Sequence, residues 1–94
     1  MNSTLRKESE IYKKKLYNSI KKNFYVYKKH LGKTCIVKIR ISKNGKIFIV
    51  QFEPKKSSLC VSALQSIKSA NIPIPNNEEI YKIFENTTIE FSPK

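Results

Sequence analysis

Two cysteines, Cys35 and Cys60, have the most chemistry to offer in this 94-residue chain. Reduced, they would be two small buried hydrophobes; oxidised, they would close one covalent loop. A metal site is poorly supplied, because His30 is the single histidine and the sequence contains no aspartate. The same gap removes a Ser/His/Asp triad, and no acidic residue stands where it would orient a Cys/His pair. Glu78 and Glu79 are adjacent, so a helix would turn them apart. Gly32 and Gly45 sit where a helix end and a turn require them and make no phosphate-cradling loop. The expectation is a chain with no catalytic residues, no cofactor and no metal.

Charge is the other conspicuous property. The chain carries a formal +12, all of it in residues 1–46, while residues 47–94 balance to zero. Such asymmetry points to an anionic partner or to a solvated helix face. Only Arg6 and Arg40 are arginines, which argues against base-specific nucleic-acid recognition, since arginine supplies most bidentate contacts. The longest apolar runs, such as Ile47–Val50, are far too short to span a bilayer. The Lys-rich start up to Lys15 lacks the apolar stretch of a signal peptide. With Met1 as natural start the chain would be cytosolic; otherwise the compartment stays open.

The elements that must position the cysteines follow from periodicity. Tyr12, Leu16, Ile20 and Phe24 recur every four residues, and Tyr27 and Leu31 continue the stripe, which predicts a helix, with Gly32 ending it or the turn that follows it. Residues 1–8 lack an apolar pattern and read as frayed; the expected division is a flexible linker or stalk remnant over 1–10 and one domain over 11–94. Next, Cys35–Ile41 and Lys46–Phe52 flank Asn44-Gly45, the signature of a hairpin with a two-residue type I′ turn. That loop pairs Ile41 with Phe48, Ile39 with Val50 and Val37 with Phe52 on one apolar face. Lys38, Arg40, Ile49 and Gln51 fall on the other.

Ser57 or Ser58 can cap a second helix with Cys60, Ala63, Leu64 and Ile67 on one face. The prolines of Ile72-Pro73-Ile74-Pro75 impose an extended stretch. Asn76, three residues before Glu79, marks a third helix with Ile80, Ile83 and Phe84 on its apolar side. Thr87–Phe91 alternates as a closing strand. The order is α-β-β-α-α-β: an α+β domain with a three-stranded antiparallel sheet packed by helices. Cys35 opens a strand on its apolar side and Cys60 lies on a helix's core face. That placement is compatible with a bridge, and equally with two reduced thiols.

Gly32-Lys33-Thr34-Cys35 before a strand and Leu59-Cys60 opening a helix resemble the C-terminal domain of the TolA family. So do Ala70 with Ile72-Pro73 and Pro75; Tyr81, Phe84 and Asn86; and the ending Glu90-Phe91-Ser92-Pro93. The likeness runs from about Tyr12 to Lys94, within a superfamily shared with TonB domains. It departs from the family in a heavier lysine load and in Ser, Gln and Val where the second helix is usually Ala-rich.

The resemblance implies a disulfide between Cys35 and Cys60. It also implies a periplasmic domain of a single-pass inner-membrane protein of the Tol-Pal system, which maintains the outer membrane and aids cell division. Implied partners are TolB and, in relatives, Pal; TolQ and TolR act with the full-length protein in the inner membrane. Filamentous-phage coat proteins and group A colicins exploit such domains as receptors. By likeness to TonB, partner binding is expected as strand addition at Thr87, Thr88, Ile89, Glu90 and Phe91, with the isolated domain a monomer that binds no nucleic acid. The rival reading is a small basic cytosolic nucleic-acid-binding protein using Lys13–Lys29.

Overall fold

The computed structural model describes residues 3–25 and 28–93. Helix α1 (Ser3–Lys21) is followed by a short 3₁₀ turn (Lys28–His30), strands β1 (Cys35–Ile41) and β2 (Ile47–Glu53), helices α2 (Ser58–Lys68) and α3 (Glu78–Phe84), and strand β3 (Asn86–Phe91). The sheet is antiparallel throughout, ordered β2-β1-β3. This is the expected α+β architecture. β1 alternates fully, with Cys35, Val37, Ile39 and Ile41 buried and the residues between them exposed. Those four, with Ile89 and Phe91 of β3, meet a layer of helices through Leu16, Ile20, Leu59, Ala63 and Ile80. Among the described residues, no helix is long and apolar enough to cross a membrane.

Tyr12, Leu16 and Ile20 are buried on α1 as their spacing predicts. Tyr12 stacks on Phe84 at 4.9 Å and donates its hydroxyl to the Pro73 carbonyl at 2.7 Å, which satisfies the polar end of a buried ring. The helix is shifted relative to the sequence expectation at both ends. It begins at Ser3, where a frayed segment was expected. Leu5 packs against the core, and Glu8 accepts a hydrogen bond from Asn77 at 3.1 Å. It stops at Lys21, ten residues short of Leu31, which is exposed. Phe24 still reaches the core after the chain turns, lying 5.0 Å from Phe91, so the apolar spacing continues without a helix to carry it. Tyr27 lies outside the described residues. Gly32 follows the 3₁₀ turn at φ +80°. Its N–H donates to the Pro93 carbonyl and ties the chain end to this loop.

The hairpin also departs from expectation. Ser42 accepts from Gly45 N–H and donates to Lys46, so three residues form the loop. Gly45 alone takes a left-handed φ, +82°, while a type I′ turn would need Asn44 there as well. Val37 does pair with Phe52, but the register then shifts between Lys38 and Ile39. Val50 becomes the extra residue of a bulge, and Ile39 and Ile41 pair with Ile49 and Ile47. Ile49 therefore turns inward, while Phe48 and Val50, expected inside, face solvent.

The caps of the later helices are Ser57, accepting from Cys60 N–H, and Asn77 rather than Asn76, accepting from Ile80 N–H at 2.9 Å. His30 is buried beside Ser58, sharing a hydrogen bond of 3.1 Å. Burial first, then the neighbouring Lys29 and Lys33 charges, push its pKa below the ordinary 6.5. The unfolded chain thus binds a proton that the folded chain refuses, so this contribution is complete above 6.5 and is lost as pH falls below it. Urea titrations between about pH 7 and pH 5.5 should show falling stability, and His30→Gln should flatten that slope.

Candidate protein-binding edges of the sheet

The two cysteines meet. Cys35 and Cys60 form a disulfide with a Cα–Cα distance of 5.4 Å, fastening the first residue of β1 to the first turn of α2. Both are essentially inaccessible, which makes the bridge a structural staple rather than an exchanging thiol pair. Among the described residues there is no cluster of three potential metal ligands. Backbone groups left open to a partner lie on the sheet's two outer strands.

On β3, Thr87, Ile89 and Phe91 are buried while Thr88 and Glu90 are exposed. Thr87 donates its hydroxyl to the Phe84 carbonyl at 2.7 Å, so it closes the turn from α3. Ile41 N–H donates to Glu85 O at the start of the β1–β3 ladder. Alternation from that point directs the backbone groups of Ile39 and Val37 toward their partners Thr87 and Ile89. Thr88 and Glu90 consequently turn their N–H and C=O away from β1. Side chains of α1 touch that free edge: Tyr17 Oη donates to Thr88 O at 3.5 Å and Lys21 Nζ to Glu90 O at 3.4 Å. Both bonds are long and exposed, and they occupy carbonyls only. A cleft of ≈ 410 Å³ opens beside them, walled by Lys13, Tyr17, Ile83, Asn86 and Thr88 among others.

On β2, the same alternation directs the backbone groups of Ile47 and Ile49 to the outside. That edge borders a cleft of ≈ 420 Å³ lined by Gly45, Ile47, Phe48, Ile49, Ile67, Lys68, Ala70 and Ile72. A Cβ on Gly45 would come within 3.3 Å of both Ile72 O and Ile74 Cγ1, so the hairpin tip packs closely on the extended stretch. Sequence reasoning missed this edge. The cleft joins residues distant in the chain, and the inward Ile49 was assigned to the wrong face.

Fold and edges together define a small disulfide-closed α+β domain with a strand free on each side of its sheet. The family model for the TolA C-terminal domain matches residues 1–91, and the chain belongs to that family. A solved structure described as "Protein-protein interactions and conformational changes: Importance of the hydrophobic cavity of TolA C-terminal domain" has the same fold. The TM-score is 0.60 at 17% identity, over 99% of this chain and 97% of the other.

Proposed function

We propose that this chain is the periplasmic protein-binding domain of a Tol-Pal-type envelope system. In this reading it links an inner-membrane motor containing TolQ and TolR to TolB and Pal at the outer membrane, and supports outer-membrane integrity and division. It works by binding rather than catalysis. Family membership supports the assignment, and the disulfide suits an oxidising compartment. Phage coat proteins and colicins would be opportunistic users of the same surface.

The binding mode is strand addition to β3 over Thr87–Phe91, and one observation carries it. Among the described residues, the outward backbone groups of Thr88 and Glu90 are held by the two long α1 contacts, which a pairing strand would outcompete. A second reading, addition to β2, is favoured by the cleft beside Ile47 and Ile49, which would receive alternate side chains of the added strand. Proline substitution separates the two. Thr88→Pro removes an outward N–H without breaking the ladder to β1, and should abolish binding of purified TolB while leaving thermal unfolding near wild type. Ile47→Pro, at the first residue of β2, makes the corresponding test of the other edge. Calorimetric titration unchanged by both substitutions would eliminate strand addition altogether.

A further inference from the structure

The sheet's outer face carries a pattern that neither edge explains. The helices pack against the other side, where all the buried residues of β1 and β3 point. On the outer side, β1 presents Ile36, Lys38 and Arg40, and the registers of its neighbours arrange three rows. Ile36 lies between Glu53 and Glu90, Lys38 between Gln51 and Thr88, and Arg40 between Phe48 and Asn86. Lys38 thus has carboxylates one diagonal step away, within reach of partial compensation. Arg40 has none on either side, and Lys46 just before β2 adds a like charge at its end. Among the described residues the ion pair formed is Lys43 with Glu78, which leaves this face untouched.

Apolar surface accompanies the uncompensated charge. Phe48 is 55% exposed and Val50 62%, both turned outward by the bulge. A large aromatic and a guanidinium on adjacent strands are residue types enriched at the centres of protein interfaces, and Val50 adds apolar area beside them.

We propose that Arg40 and Phe48 anchor a second docking surface for an acidic partner segment, one in which a carboxylate stands beside a large apolar side chain. The guanidinium fork receives the carboxylate in two parallel hydrogen bonds, and Phe48 with Val50 covers the apolar neighbour. The row of Glu53 and Glu90 at the opposite end orients the segment by repelling its acidic part. A second copy of this chain is a poor occupant, because each copy carries +12. An anionic bilayer would draw on lysines all over the molecule rather than on this one row. The surface lies on the face of the sheet, so it operates whichever edge pairs with a strand.

The test uses the ¹⁵N-labelled chain and a synthetic peptide alternating glutamate with leucine, followed by chemical-shift titration. Saturable shifts should concentrate at Arg40, Phe48 and Val50. Both Arg40→Gln and Arg40→Lys should weaken binding about fivefold or more, because lysine loses the bidentate geometry. Phe48→Ser should weaken it comparably. Lys14→Gln, an equal charge loss on the exposed side of α1, should change it less than about twofold, and the glutamine counterpart of the peptide should not bind. The proposal is overturned by absence of saturable binding, by shifts centred on β3 or on Ile47 and Ile49 without Arg40, or by an equal loss in Lys14→Gln. Retained affinity in Arg40→Lys, or Arg40-dependent binding of phosphatidylglycerol vesicles in place of the peptide, also overturns it.

Discussion

Replacing both Cys35 and Cys60 by alanine is expected to lower stability by about 3–4 kcal/mol. The bridge spans a sequence separation of 25, and the chain-entropy model assigns a loop of that size roughly 3.5 kcal/mol. Its position adds to this. It joins the strand at the centre of the sheet to the capped start of α2, where both residues contribute to the core. A small domain has a total margin of about 5–15 kcal/mol, so such a loss should shift the thermal midpoint by on the order of 15–25 °C. Circular-dichroism melts of the double variant measure it, with wild type in reductant as a second arm. Cys35 and Cys60 are 0% and 1% exposed, so reduction of the folded protein should be slow and should accelerate near the midpoint. A fall below about 1 kcal/mol would mean that packing, not the bridge, secures the α2–sheet junction.

Leu16→Ala should cost about 2–5 kcal/mol, the second large effect. Leu16 is completely buried between Tyr12 and Ile20 on the face of α1 that covers the other helices and the sheet. Truncation removes the apolar contact and leaves a cavity in a layer held on several sides. Ile11 precedes Tyr12 yet is 48% exposed, so Ile11→Ala should stay within about 0.5 kcal/mol. Denaturant titrations of both variants at constant m-value check the contrast. Similar costs at the two positions would show that α1 is held by its own helical propensity and not by one packed stripe.

These effects rest on features legible in the sequence to different degrees. β1 and β3 were readable because Val37-Lys38-Ile39-Arg40-Ile41 and Thr88-Ile89-Glu90-Phe91 alternate polar and apolar residues, which sets the phase of each strand. β2 was not, because Ile47, Phe48, Ile49 and Val50 are all apolar. An unbroken apolar run fits either phase, and the bulge that chooses between them is paired against β1 some ten residues away in the chain. The stripe of α1 identified its buried face at Tyr12, Leu16 and Ile20. Its end was hidden because Phe24 continues the spacing while packing from outside the helix on Phe91. Its start was hidden because, among the described residues before Tyr12, Leu5 is the one packed on the core, and helix continuity does the rest. The pairing of Cys35 with Cys60 was compatible with their faces but followed only from the family resemblance. The side chains that touch the β3 edge, Tyr17 and Lys21, were out of reach of any local pattern, since they arrive from the other end of the chain.

The extra residue at Val50 has a consequence for solubility. A long, flat outer strand with Phe48 and Val50 exposed would be a template on which copies of the same chain could stack without limit. The bulge interrupts the ladder and increases the local twist, so two such edges cannot lie in register along their length. Lysines at Lys46 and Lys55, on either side of β2, raise the electrostatic cost of like meeting like. A single irregular residue thus works against polymerisation of the strand with itself.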